Sequence, residues 1–178
     1  MKPRQPALPR LWLMTDERLG DRLWPAVERL PAGSGVVFRH SATPAIERRA
    51  VFERLARSAR RRRLVLFMAG DERTARRWGA DGTHHRRPHA PRFGTAPAHD
   101  LREIRAAEQS GAAAIFLSPL FATRSHPGAP ALGPMRFAAL ARATRLPVIA
   151  LGGIDVRRGR AAIRLGAYGW AAIDAWQK

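Results

Sequence analysis

The sequence predicts an α/β fold, a closed TIM-type (β/α)8 barrel reduced by two helices. Three observations carry this reading. Short apolar runs alternate with amphipathic segments along the whole chain. Eight such runs can be traced, the number that closes a parallel barrel. The polar residues gather just after those runs, at the strand ends where barrels of this kind carry their chemistry.

Leu11-Trp12-Leu13-Met14 is a short apolar strand ending at Thr15-Asp16, and helical spacing follows over residues 22–30. Residues 35–39 form the second strand. A long amphipathic helix spans residues 44–62: Pro44 suits the first helical turn, and Ile46, Ala50, Val51, Leu55 and Ala59 recur near a 3.6-residue period. The third strand covers residues 64–68 and is followed by a short helix over 72–78. Residues 80–84 read as a weak fourth strand, and the Pro- and His-rich stretch 85–92 has no helical pattern. A fifth strand is expected over residues 93–96, after which Asp100 caps a helix running to Ser110. The sixth strand is 113–117, followed by a long loop over 118–132 and a helix over 134–144. The seventh strand, 148–151, leads into a helix over 156–165, and the eighth strand is 169–173. The helix after strand four and any helix after strand eight are missing from this pattern. The flank they would cover needs a shield, and self-association into a homo-oligomer is the simplest one.

With 178 residues and 46% apolar content, the chain is expected to form one domain over 1–178, its first ten residues flexible. Cysteine is absent, which excludes disulfides and thiolate metal sites. The first six residues carry no apolar leader core, and no stretch reaches membrane-spanning length. The expectation is a cytoplasmic protein without a membrane partner. The formal charge of +18 invites a nucleic-acid reading. Its make-up disfavours that partner: apart from Lys2 and Lys178 every one of the 32 basic residues is arginine, spread through all the helices. This looks like a coding bias toward Arg and Ala, and the densest run, Arg60 to Arg63, closes a helix where cations suit the dipole. A positive field would still collect phosphorylated small molecules.

The most informative stretch is Pro147-Val148-Ile149-Ala150-Leu151-Gly152-Gly153-Ile154. An unbroken apolar run is buried on both faces, as parallel strands are. Two glycines at its end let bare N–H groups approach a ligand, and the following helix start adds a positive dipole. Strand, Gly-Gly and helix start together predict a phosphate seat in a βα-repeat enzyme. Around it the strand ends present Asp16, Arg39-His40, Asp71, His84-His85, His99, Ser118 with Thr123 and His126, and Asp174. Arg39 directly follows Val36-Val37-Phe38, and a guanidinium placed there requires an anionic partner. His84-His85 with His89 lacks a carboxylate or a helical spacing that would make a zinc site. Asp71 reads equally as a hard-cation ligand beside a pyrophosphate or as the N-cap of the 72–78 helix.

These segments resemble the thiamine phosphate synthase family, which also contains a thiazole tautomerase branch. The resemblance rests on Leu11 to Asp16, Val36-Val37-Phe38-Arg39, Gly79 to His84, Ser118-Pro119-Leu120-Phe121-Ala122-Thr123, Gly133-Pro134, Pro147 to Ile154 and Gly166-Ala167-Tyr168-Gly169. It implies a TIM barrel that joins a pyrimidine methyl pyrophosphate to a thiazole phosphate, with magnesium on the departing pyrophosphate. By similarity Arg39 and Asp71 would hold the pyrophosphate and its Mg2+, while Thr123 and the amides of Gly152 and Gly153 would seat the thiazole phosphate. Ser118 joins the phosphate-binding candidates, and Arg39, His99 and His126 are the catalytic candidates. The chain departs from the family pattern at several places. Val37 and Ser41 stand where a glutamine and a lysine usually flank the arginine, and His89 stands at an acidic metal ligand. His126 replaces a lysine, Asp174 replaces a serine near the end of strand eight, and Pro119 replaces the histidine of the tautomerase branch. A carboxylate at Asp174 would repel phosphate, whereas His40, His85, His89 and His126 are available as replacement donors. The expected function is therefore a synthase-like transferase. The alternative is a diverged barrel that binds a phosphorylated heterocycle or moves a proton through histidine, with a basic nucleic-acid module third.

Overall fold

A computed structural model describes residues 7–85, 94–123, 128 and 130–176. Eight parallel strands close a barrel in chain order: β1 (Leu11–Met14), β2 (Gly35–Phe38), β3 (Val65–Ala69), β4 (Gly82–His84), β5 (Gly94–Ala98), β6 (Ala114–Leu117), β7 (Val148–Ala150) and β8 (Gly169–Ala172). Closure runs through β1 and β8, with Leu11 opposite Trp170 and Trp12 opposite Ala171. The helices are α1 (Leu23–Arg29), α2 (Ala45–Arg62), α3 (Glu72–Trp78), α4 (Leu101–Gln109), α5 (Gly133–Arg142) and α6 (Val156–Arg164).

Alternation along the strands divides the buried side chains into two layers. Inside the barrel, Trp12, Val37, Val65, Phe67, Ala114, Phe116, Ile149 and Ala171 pack on one another. Trp12 meets Phe67 and Phe116 edge-on, with centroids 5.2 and 5.3 Å apart, and its Nε1 donates to the Pro9 carbonyl at 2.8 Å. Gly35 belongs to the same plug, because a Cβ there would enter the Trp12 ring. Outside the barrel, Leu13, Val36, Phe38, Leu66, Ile115 and Leu117 pack against Phe52, Leu55, Ile104, Phe137 and Ala162. The lower barrel is thus filled with side chains, and within the barrel the space for a ligand lies at the C-terminal mouth.

Three details differ from the sequence reading. A 310 segment, Glu17–Arg22, precedes α1, with Gly20 at φ +49° marking a kink within it. The fifth strand runs on through Pro97 to Ala98, two residues past its expected end. Proline is tolerated because the β4–β5 ladder stops at His84 opposite Thr95, so its missing N–H falls beyond the last rung. After β8, described residues 173–176 make turns and no helix. There Trp176 stacks on Trp170 at 5.0 Å and 3°. Gly159 on α6 leaves room for the Trp170 indole, which a Cβ would meet. This stack covers the outer face of β8 where a further helix would lie. The stretch after β4 where the sequence pattern has no helix, residues 86–93, is outside the described residues.

Candidate anion-binding site at the barrel mouth

A cavity of about 500 Å3 opens at the C-terminal ends of the strands and is lined by both Arg39 and the Gly152–Gly153 turn. Met14, His84, Pro97, Leu151 and Ile173 form its floor and walls, and His99, Ser118, Thr123, Asp155, Arg158 and Asp174 bring polar groups to it.

Arg39 emerges at the end of β2 and is fixed by the end of β1. Its backbone N–H donates to Thr15 Oγ1 at 3.0 Å, its Nε to the Thr15 carbonyl at 2.9 Å, and one Nη2 to Asp16 Oδ2 at 2.7 Å. The carboxylate demanded by a guanidinium at this place is therefore Asp16. Nη1 of Arg39 forms no hydrogen bond within the described chain and remains for a ligand. Arg18, in the 310 turn, grips the same carboxylate through Nε at 2.7 Å and Nη2 at 3.1 Å. The Arg18 hydrogen bonds, ahead of the charge on Arg39, hold the Asp16 carboxyl below its ordinary range. The negative charge of Asp174 in turn reaches Arg18. Sequence reading named Arg39 but passed over Arg18, because an arginine among so many gives no signal until the fold brings it to β1.

The second half of the site is the turn after β7. Gly152 and Gly153 take φ of +98° and +61°, values that disfavour a side chain. They are also hemmed in: a Cβ on Gly152 would lie 2.6 Å from Pro119 Cα, and one on Gly153 2.9 Å from Phe121 Cβ. The neighbouring loop after β6 is sewn to this turn, Leu120 N donating to Leu151 O at 2.8 Å and Phe121 N to Gly152 O at 3.1 Å. Within the described chain neither glycine N–H finds an acceptor. Buried unpaired amides are costly unless a ligand satisfies them. Asp155 caps α6 by accepting from Arg158 N at 2.8 Å, so the helix start points its dipole at the same region. Arg158 Nη1 donates to the Gly153 carbonyl at 2.8 Å, and its guanidinium lies 5.0 Å from the centroid of the Phe121 ring. Arg158 was absent from the sequence-based candidates.

Between these halves stand two histidines of different character. His84 is buried, with Nδ1 3.0 Å from Thr95 Oγ1 and its ring 4.8 Å from that of Phe116. Burial first, then the positive charge of Arg39, drives its pKa from 6.5 down to about 3, so it lines the cavity as a neutral imidazole. His99 sits on the rim after β5. Glu103 Oε2 accepts from both its backbone N–H at 2.8 Å and its Nδ1 at 2.7 Å, which orients the ring. Ser118 and Thr123 line the cavity as well. His40, a candidate replacement donor, is buried against Phe38 at 4.7 Å and bonds Thr15 Oγ1 through Nδ1 at 3.0 Å. Burial lowers its pKa, and it does not line the cavity. His89 and His126 lie outside the described residues.

Asp71 is the candidate magnesium ligand. Its exposed carboxylate caps α3 by accepting from Thr74 N at 2.8 Å, and Asp71 does not line the cavity. Among the described residues no group of three or more histidine or acidic side chains is placed to hold a metal ion. Nor, among them, is any helix long and apolar enough to cross a membrane.

The fold is that of a closed (β/α)8-type barrel with its cavity at the C-terminal mouth. The chain belongs to the thiamine monophosphate synthase family, whose profile matches residues 11–176. A "Putative thiamine-phosphate synthase 2" of Aquifex aeolicus is 40% identical over 77 residues, 43% of this chain and 41% of that protein. A "Thiamine-phosphate synthase" of Roseiflexus castenholzii is 37% identical over 76 residues, 42% of this chain and 33% of its own length. The matches thus span less than half of these relatives. Among solved structures, a thiamine phosphate pyrophosphorylase from Pyrococcus furiosus superposes with a TM-score of 0.79 at 23% identity, covering 93% of this chain and 86% of that one. A 3-hexulose-6-phosphate synthase shares the fold at a TM-score of 0.67 and 15% identity, covering 93% and 90%.

Proposed function

We propose that this protein is a thiamine phosphate synthase-like transferase that joins a pyrimidine methyl pyrophosphate to a thiazole phosphate. The observation that supports it is the single cavity shared by Arg39 and the Gly152–Gly153 turn, two anion-binding features for two anionic substrates. In this reading the pyrophosphate lies against the free Nη1 of Arg39, and the thiazole phosphate accepts from the glycine amides at the start of α6, with Ser118 and Thr123 beside it. The thiazole forms a bond to the pyrimidine methyl carbon while that carbon's bond to the pyrophosphate oxygen breaks. Pyrophosphate leaves with the electron pair. Negative charge grows on the leaving group in that step, and a guanidinium already fixed by Thr15 and Asp16 stabilises it without reorganising. His99, oriented by Glu103, faces the same space and is a candidate to supply a proton to the departing oxygen. His84, held neutral and apolar-backed by Phe116, shapes the floor without adding charge.

Turnover of the two purified precursors to thiamine phosphate, with and without magnesium, tests this reading. Product should form in the native protein, and Arg39→Ala should cut kcat/KM by about 100-fold or more, since a charge-assisted contact to the leaving group contributes roughly 3 kcal/mol in the transition state. Unchanged turnover in Arg39→Ala would reject Arg39 as the pyrophosphate clamp. Asp174 inside the cavity and Asp71 outside its lining favour one second reading, a diverged barrel that binds a phosphorylated heterocycle without joining it to a pyrimidine. Tight binding of thiazole phosphate with no product under any metal condition selects that reading.

A further inference from the structure

We infer that Arg158 makes the mouth selective for phosphorylated over unphosphorylated ligand, acting as a cationic clamp on the phosphate seated at Gly152–Gly153. This rests on the seat described under the proposed function and adds to it the group that supplies the formal positive charge.

Backbone amides and a helix dipole provide only partial charges, equivalent to about half an elementary charge. A phosphate monoester near neutral pH carries close to two negative charges. Two carboxylates, Asp155 and Asp174, line the same cavity. Asp155 belongs to the α6 cap, where its Oδ1 accepts from the Arg158 amide. Without a nearby cation the seat would meet a dianion with partial positive charge and two repelling groups. Arg158 is the cavity-lining guanidinium on the α6 side, in the first turn of the helix whose start defines the seat.

Its geometry suits the role. Nη1 is anchored on Gly153 O at 2.8 Å, so the side chain is tied to the turn itself. The Phe121 ring, 5.0 Å away, provides an apolar shelf and restricts the rotamers of a side chain that would otherwise roam in solvent. The Nε and Nη2 donors make no hydrogen bond within the described chain. One edge of the guanidinium is thus fastened to the protein, and its other donors remain for phosphate oxygens.

The contact with Gly153 also suggests a purely structural role, in which Arg158 only braces the turn. Arg158→Gln separates the two, because an amide can still donate to Gly153 O but carries no charge. Calorimetric titration of the intact protein with inorganic phosphate, with thiazole phosphate and with the corresponding thiazole alcohol is the test. Arg158→Gln and Arg158→Ala should each weaken both phosphate ligands about 10- to 100-fold, the range for a hydrogen bond to a charged group. Arg158→Lys should recover most of that loss, and alcohol binding should be unchanged in all three. Native-like phosphate binding by Arg158→Gln would overturn the clamp and leave a brace. Equal weakening of alcohol and phosphate would overturn it too, by showing a collapsed turn. If the native protein itself binds neither phosphate ligand, the seat fails along with the clamp, which distinguishes that failure from one confined to Arg158.

Discussion

His84 meets Phe116 edge-on and hydrogen-bonds Thr95 inside the barrel, and both contacts suit an uncharged ring. Its pKa falls from 6.5 to about 3, chiefly through burial. Between those values the unfolded chain takes up a proton that the native state refuses, so stability drops as the pH falls through this window, by up to about 1.4 kcal/mol per pH unit. His40 shifts in the same direction, also through burial. Asp16 acts in the same direction but in a lower window: its carboxyl is held low, so the stability it adds is lost only as the pH falls below its ordinary value of 3.8. The range from about 6 down to about 5 therefore belongs to the histidines, above the window in which Glu17 and Glu108, held below 4.5, contribute. Melting temperatures across that range should fall more gently in His84→Gln than in the native protein, and equal slopes would refute a neutral, buried His84. At this scale the sequence showed which residues carry charge but not their partners. Arg39 after an apolar run required a carboxylate, and nothing local identified Asp16, which lies one strand earlier in the chain. Arg18 and Arg158 stayed hidden because their number and spacing match every other arginine.

Most of the elements were legible because parallel barrel strands are apolar on both faces and stand out as short runs. Asp71, Asp100 and Asp155 all cap the helices that follow them, each accepting from the backbone N–H three residues on. Failures came where tertiary context overrode a local signal. Pro97 should end a strand, yet the ladder on its side had already stopped. The 310 turn before α1 has too few residues to show a helical period. The C-terminal segment shows the same point in reverse: described residues 173–176 form no helix, but Trp176 does a helix's work by stacking on Trp170. The Trp176 side chain is 9% exposed and its Nε1 is buried with no acceptor among the described residues, so the indole is held by packing, not by a polar anchor. Trp176→Ala should cost about 3 kcal/mol, the low end for truncating a large buried aromatic, and lower the melting temperature by roughly 6–12 °C for a domain of this size. Trp176→Phe retains a ring against Trp170 and loses no hydrogen bond, so it should recover much of that difference. A melting temperature unmoved in Trp176→Ala would mean that β8 needs no such cover.

Over the whole molecule, 32 basic residues face 14 acidic ones, for a formal charge of +18. Ion pairs that do form are mostly on the surface, such as Arg49–Glu53 at 2.6 Å and Arg76–Glu72 at 2.9 Å within single helices. Exposed pairs of this type contribute about 0.5 kcal/mol or less each. Repulsion among the surplus arginines opposes them, and it is summed over the entire surface. Salt screens both effects, but there are far more uncompensated cations than pairs, so the repulsion should win. Raising sodium chloride from about 20 mM to about 0.5 M, which shortens the screening length from roughly 20 Å to 4 Å, should therefore raise the melting temperature. A protein held together by its ion pairs would show the reverse. Phosphate at matched ionic strength adds a second contribution, because a ligand of the native state stabilises by RT ln(1 + [L]/Kd). A site at the barrel mouth makes phosphate stabilise beyond chloride in the native protein, and Arg158→Gln should reduce that excess while leaving the chloride response intact. Nonspecific adsorption of anions to a basic surface would give an excess that Arg158→Gln does not change. That comparison separates the charge of the molecule from the chemistry of its site.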